Sequence, residues 1–249
     1  MTDTAGIEIP IFGGDGNVLF QLAGALSLRE AGQAVTIIDF RPNGAPMVYK
    51  ILGWAKHKTK IVDDALHNFI VITPTISMQI KFLLLYILQV KLGFRGNLLG
   101  WRISYFQTAA ELTRSSINAV AKMISHCCSF ERNKRYDVFH YRGNDFSEGE
   151  KAKQEHLIRL LSKEKYFQAA KLISDDDDIA KRLNICQLGG DIFDDVNYIA
   201  NARNLFLGNS TFAFWAAQLG ERKTIHTFPN SLVDRLSSLI VSEVICHDL

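Results

Sequence analysis

Residues 7–40 constrain the fold more than any other stretch of the chain. Residues 7–12, IEIPIF, form an apolar run that stops at Gly13-Gly14-Asp15-Gly16-Asn17. Leu19, Phe20, Leu22, Ala23, Leu26 and Leu28 follow at roughly helical spacing. Gly32 breaks that pattern, and residues 34–40, AVTIIDF, form a β-branched run closed by the turn formers Pro42-Asn43-Gly44. Strand, glycine turn, helix and strand with short links make a βαβ unit. The pattern therefore predicts an α/β fold with a parallel sheet and a right-handed crossover.

A second α/β pattern occupies the other half. Residues 136–141, YDVFHY, read as a strand, and Leu157, Leu160, Leu161, Phe167, Ala170 and Ile173 extend a helical pattern over 154–173. Carboxylates at 175–178 are placed to cap a helix at 179–183, because they satisfy free N–H groups and complement the helix dipole. Residues 204–207, 211–219 and 223–228 repeat strand, helix, strand. Between the halves, 68–75 reads as a strand, 78–92 as a buried helix, 108–125 as a helix and the basic 132–135 as a solvated link. The expectation is an N-terminal α/β domain over 1–133 and a C-terminal one over 134–249, whose final helix packs back on the first. Ligands in such folds bind at the carboxyl ends of strands, here in a cleft between the halves.

Charge narrows the partners. Lys plus Arg number 28 against 26 Asp plus Glu in 249 residues, a formal +2, and no basic helix or recognition motif is present. A nucleic-acid backbone held by a broad positive field is excluded on that balance, so an anion must be gripped locally. Cys127, Cys128, Cys186 and Cys246 show no C-x-x-C spacing, which argues against a structural metal and for reduced, mostly buried thiols. Residues 1–6 carry Asp3 and no basic n-region, so a secretory signal is not expected and a cytoplasmic protein is. The apolar run 82–90 is about half of the roughly 20 residues a crossing needs. Residues 78–96, with Lys81, Lys91 and Arg95, leave open peripheral contact with the inner membrane beside the buried-helix reading.

Four segments carry candidate chemistry. Gly13 to Asn17 lies at a strand-to-helix junction, where glycines let backbone approach a ligand and the helix N-terminus offers N–H groups to an oxyanion. It is not G-x-G-x-x-G, because Leu19 holds the third glycine position, and a tight turn with positive φ explains it equally. In His140-Tyr141-Arg142-Gly143-Asn144-Asp145, His140 and Arg142 share one face of an extended strand. Arginine suits a diphosphate, being always ionised and able to bind oxygens bidentately, while the alternative is an ion pair with Asp145 or the acidic run. Gly208-Asn209-Ser210-Thr211 opens a helix directly after a strand, which serves capping and phosphate binding alike. Phe212, Trp215 and Leu219 read as core. In Ser174-Asp175-Asp176-Asp177-Asp178 consecutive carboxylates diverge and do not cage a hard cation, but one inward acid can accept the N–H groups of a guanine edge.

Together these residues resemble the α-1,2-fucosyltransferases, glycosyltransferase family eleven of the GT-B fucosyltransferase group. The family's G-G-x-G-N-x-L-F-Q is similar to Gly13, Gly14, Gly16, Asn17, Leu19, Phe20 and Gln21, and its H-x-R-R-G-D matches His140, Arg142 and Asp145 in spacing. The L-x-x-x-Y-Y/F-x-x-A helix resembles 161–170 with Tyr166 and Phe167, F-S-D-D resembles 173–176, and the D-x-x-x-I to N-S-T-F-S-W-W stretch resembles Asp195 to Trp215. Departures are Gly143 for the second arginine, Asn144 for its glycine, Asp15 for an apolar residue and Phe214 for the first tryptophan.

The resemblance implies two Rossmann-type domains with parallel sheets facing across a cleft. It implies inverting, metal-independent transfer from GDP-fucose, or another GDP-sugar, to a glycan acceptor, with no cofactor. Arg142 would grip the diphosphate and His140 the ribose or phosphate. Asp175 or Asp176 would meet guanine or ribose, and Asn209, Ser210 and Thr211 would complete the phosphate pocket. Gly14, Gly16 and Asn17 would line the sugar and acceptor side. Asp15 and Asp145 are the candidates for the base that takes the acceptor proton. A non-catalytic nucleotide-sugar-binding subunit is the reading from outside the enzymes.

Overall fold

The computed structural model describes residues 6–41, 43–52, 61–92, 100–127, 136–143, 146–188 and 190–248. The chain is α/β and divides into two compact units, Met1–Ile124 and Ser125–Leu249. The division falls after Ile124 rather than at 133, and the basic link 132–135 lies outside the described residues.

In the first unit, β1 (Ile7–Ile11), α1 (Asp15–Glu30) and β2 (Val35–Asp39) form the expected βαβ unit, with β1 and β2 parallel from Ile7 opposite Val35 to Ile11 opposite Asp39. The helices α2 (Pro46–Leu52) and α3 (Val62–Leu66) precede β3. The strand expected over 68–75 shrinks to β3 (Val71–Ile72), which pairs with β2 in the order β1-β2-β3. Asn68 and Phe69 still donate to the Ala65 and Leu66 carbonyls of the preceding turn, and Pro74 has no N–H to give a ladder.

Next come α4 (Ile76–Tyr86), capped by the Thr75 hydroxyl, and a π-helical turn over Ile87–Lys91. One face of this helix is buried as expected, and the opposite face is exposed. The helix expected from 108 begins later, as α5 (Arg114–Met123), because Thr113 and Ser116 make a reciprocal capping box there. Phe12, Phe40, Phe82, Tyr86 and Trp101 form an aromatic core, with Phe40 stacked on Phe82 at 4.4 Å between ring centroids.

The second unit runs β4 (Tyr136–Tyr141), α6 (Glu148–Leu161), β5 (Lys171–Ser174), α7 (Ile179–Leu183), α8 (Ile192–Ala200), β6 (Ala202–Leu207), α9 (Thr211–Gln218), β7 (Thr224–Thr227), α10 (Leu232–Arg235) and β8 (Glu243–Cys246). All pairings are parallel, in the order β5-β4-β6-β7-β8.

Two expectations are corrected here. The helix expected over 154–173 ends at Leu161, and the stretch likened to the family's helix holds only a 3₁₀ turn at Lys165–Phe167 before β5. Leu172 and Ile173 are buried on opposite faces of a strand, and a short apolar run of this kind satisfies either period. Where a closing helix is expected, the last element is β8, whose Val244 and Ile245 favour an extended backbone.

Two smaller points differ as well. Asp178 occupies the N-cap position of α7 without a side-chain cap bond, pairing instead with Lys181 at 3.4 Å. Cys186 and Cys246 are free and exposed, since they stand on the segment after α7 and on the edge strand β8 rather than in a core. Among the described residues no helix is long and apolar enough to cross a membrane.

Candidate functional site

Renumbered within the second unit, the strand order is 2-1-3-4-5, a doubly wound sheet whose direction of winding reverses between β4 and β6. Open parallel sheets take ligands at the carboxyl ends of the strands flanking such a switch point. His140 of β4 lies opposite Leu207 of β6, so Arg142-Gly143 and Gly208-Asn209-Ser210 leave the sheet side by side. On the other flank Tyr141 lies opposite Ser174, which brings Asp175 beside Arg142.

A residue that the sequence reading passed over fixes this corner. Gln154 of α6 is buried, its Oε1 accepts from the Arg142 N–H at 3.2 Å, and its Nε2 donates to the Arg142 carbonyl at 3.0 Å. A Cβ on Gly208 would come within 3.2 Å of that same Oε1, so the smallest residue suits the end of β6. A glutamine inside an amphipathic helix looks like solvent-facing surface, and only its apolar neighbours Leu157, Ile158 and Leu161 hint that it points inward.

Asp175 organises the arginine. Its Oδ1 accepts from the Gly143 N–H at 2.7 Å, and its Oδ2 lies 3.2 Å from the Arg142 Nε. The pairing with the acidic run, weighed against phosphate binding in the sequence, is thus present. Both side chains keep contact with water, at 35% and 26% exposure, so the pair orients the guanidinium more than it stabilises the fold.

Asp176 is committed elsewhere. It accepts from the Asp178 N–H at 3.0 Å and pairs at 3.3 Å with Arg182, which also holds Glu155 at 2.9 Å. Gly143 is explained by crowding, because a Cβ there would meet the Tyr141 ring at 2.9 Å and the Asp176 Cβ at 3.0 Å. The second arginine of the family pattern has no room at this position.

His140 is buried, and its Nδ1 has no hydrogen-bond partner among the described residues. Burial lowers its pKa to about 4, the Arg142 charge adds to that effect, and Asp175 partly opposes it. At neutral pH the imidazole is therefore uncharged and can donate or accept a single hydrogen bond from each nitrogen. Asn209 is structural in two directions, donating to Glu150 Oε1 at 3.0 Å and accepting from the Leu232 N–H at 2.8 Å. Ser210 caps α9 by accepting from the Ala213 N–H at 3.2 Å, and Thr211 begins the helix partly exposed. Trp215 and Leu219 are core as expected, while Phe212 stays partly exposed. Asn144 and Asp145 lie outside the described residues.

The first unit holds the other predicted segment. Gly13 has φ +88°, which fits the tight-turn reading, and its N–H donates to the Tyr49 hydroxyl at 3.2 Å. Gly14 is the N-cap of α1, Gly16 lies in the buried first turn, and Asn17 accepts from Gln107 Nε2 at 3.0 Å. Asp15 is 6% exposed, and neither carboxylate oxygen has a hydrogen bond among the described residues.

Burial, with a smaller contribution from Asp63, raises the Asp15 pKa to about 6. The Ile61 amide, close by but outside hydrogen-bond geometry, and the Arg41 charge pull it down. Arg41 is itself held by Asp39 through Nε at 2.9 Å and Nη2 at 2.8 Å, and by Asp63. A carboxyl group titrating near 6 is poised for proton transfer at neutral pH.

Among the described residues no three His, Cys, Asp or Glu side chains converge as a metal site. No protein-family model matches the chain, and no curated protein matches it.

Proposed function

We propose that the second unit binds a nucleoside diphosphate sugar at the β4–β6 switch point. By the resemblance of its motifs the donor is GDP-fucose, and the chain acts as an inverting GT-B type glycosyltransferase toward a sugar hydroxyl of a glycan. Strand order carries the reading: it sets an oriented arginine and the start of α9 side by side at the carboxyl ends of β4 and β6.

Displacement at the anomeric carbon leaves negative charge on the departing diphosphate. Arg142 and the first N–H groups of α9 are the donors that would stabilise it. His140, neutral at pH 7, would hydrogen-bond a ribose hydroxyl in preference to contributing charge to a phosphate. Asp175, which orients Arg142, would also meet guanine or ribose, as the resemblance implies. Of the two candidate bases, Asp145 lies outside the described residues, and Asp15 of the first unit has a pKa of about 6 with both carboxylate oxygens buried. Gly143 removes one cation that the family pattern carries, and on that observation another GDP-sugar is the second reading.

Thermal unfolding with a panel of GDP, GDP-fucose, GDP-mannose and UDP-sugars tests the reading. A ligand at a hundredfold its Kd adds about 2.7 kcal/mol to the native state, so the true donor raises the midpoint by several degrees. Product mass after incubation with glycan acceptors then separates transfer from binding alone. A chain whose midpoint responds to no guanine nucleotide overturns the proposal.

A further inference from the structure

We infer that the exposed face of α4 docks on an anionic lipid surface. Ile76, Ile80, Leu84 and Ile87 follow one another three or four residues apart and form a single stripe along α4 and its π-helical extension. They are 71%, 52%, 61% and 50% exposed, while Phe82, Leu85 and Tyr86 bury the opposite face in the aromatic core. Four large aliphatic side chains in a row on the water side of a helix are not explained by folding, since the core is filled from the other side.

Charge decides what fits against the stripe. Among the described residues from 67 to 110 there is no Asp or Glu, whereas Lys81 and Lys91 are present and Arg102 is paired at 3.1 Å with Glu111. Lys91 ends the stripe exposed, followed by exposed Leu92. The helix α2, whose Val48 packs into the same core as α4, closes on exposed Lys50 and Ile51. A second copy of this face would bring like charges together. An anionic leaflet offers the matching sign, and a helix that satisfies its own backbone can rest with its apolar stripe at the headgroup boundary. The docking is independent of the nucleotide-sugar reading, because no residue of the second unit takes part in it.

Flotation with phosphatidylcholine vesicles, with and without roughly 30% phosphatidylglycerol, tests the inference. The wild-type chain is expected to float with the anionic vesicles and to be released by salt. Ile80→Glu/Leu84→Glu and, separately, Lys50→Glu/Lys91→Glu should each lower the floated fraction by about fivefold or more. The exchanged side chains face water, and circular dichroism melts verify that both variants fold. The inference is overturned if the wild-type chain stays at the bottom with both vesicle types, or if the Ile80→Glu/Leu84→Glu chain floats as the wild type does. It is equally overturned if sedimentation velocity shows the stripe sustaining a dimer that ignores vesicles.

Discussion

Gln21 and Gln154 hold the same station in the two units. Each is the seventh residue of the helix that follows the unit's first strand, each is buried, and each accepts a hydrogen bond from the backbone N–H one residue past that strand. The bonds, 2.9 Å to Phe12 and 3.2 Å to Arg142, satisfy an amide that the sheet ladder no longer reaches. Each glutamine thereby fixes the direction in which the chain leaves the sheet toward its candidate residues, Asp15 in one unit and Arg142 in the other.

Gln154 is the more committed of the two, since its Nε2 also donates to the Arg142 carbonyl, whereas the Gln21 Nε2 has no partner among the described residues. Gln154→Ala removes two hydrogen bonds to the Arg142 main chain and empties the buried place of the glutamine side chain. It should cost about 2–4 kcal/mol in urea unfolding, combining the orphaned groups with the space left behind. A loss below about 0.5 kcal/mol would show that the corner does not depend on this side chain.

Arg142→Ala should lower sugar transfer by at least ~10²-fold, as expected for removing one preorganised charge contact to the leaving group. The Asp175→Asn variant retains an acceptor for the Gly143 N–H while removing the ion pair. It should change transfer less than Arg142→Ala does if Asp175 only orients the guanidinium. Near wild-type turnover by Arg142→Ala would remove the switch point from consideration as the donor site.

Gly143→Ala tests the crowding beside that arginine. The added methyl meets the Tyr141 ring, which is wholly buried, and the Asp176 Cβ, so neither neighbour yields freely. Overpacking of this kind costs about 1–3 kcal/mol, and calorimetric melting of the variant is the measurement. An unchanged midpoint would mean that the loop after β4 relaxes at no cost and that an arginine at 143 is sterically admissible after all.

What was legible in the sequence follows from how each segment signals its period. The strand over 136–141 coincides with β4, and the glycine turn at 13–14 leads into α1 at Asp15, because a Gly-rich junction between an apolar run and a 3.6-residue pattern has one local solution. The strands β5 and β8 were not legible. Leu172-Ile173 falls in phase with the helix before it, and β8 is a four-residue edge strand with little alternation. His140, Arg142 and Asp175 were found from residue chemistry, and the sheet brings them together. Gln154, which holds the Arg142 main chain, was missed because burial of a polar side chain is a tertiary fact, and the committed bonds of Asn209 and Asp176 could not be seen for the same reason.

The two units carry buried groups whose titrations pull stability in opposite directions. Asp15 in the first unit moves from its ordinary 3.8 to about 6, so between those values the native state holds more proton than the unfolded chain. Stability falls as pH rises through that window, and the penalty, on the order of 3 kcal/mol, is fully present above pH 6. In the second unit burial drives His140 and His226 from 6.5 to about 4, with His247, whose Nε2 lies 2.9 Å from the His226 Nδ1, adding to the effect on His226. There the unfolded chain holds the extra proton, so the contribution of the two histidines is complete above 6.5 and is lost as pH falls toward 4.

Asp195, raised to about 6 by burial and by its neighbours Asp194 and Asp191, opposes the histidines within the second unit, so single variants must be compared with wild type rather than read alone. Asp15→Asn should stabilise the protein at pH 7.5 and have little effect at pH 4, whereas His226→Phe should reduce the acid-induced loss between pH 6.5 and 4. Urea midpoints measured across that range decide it. An Asp15→Asn chain whose advantage over wild type is the same at both ends would show that this carboxyl ionises as freely in the fold as in water.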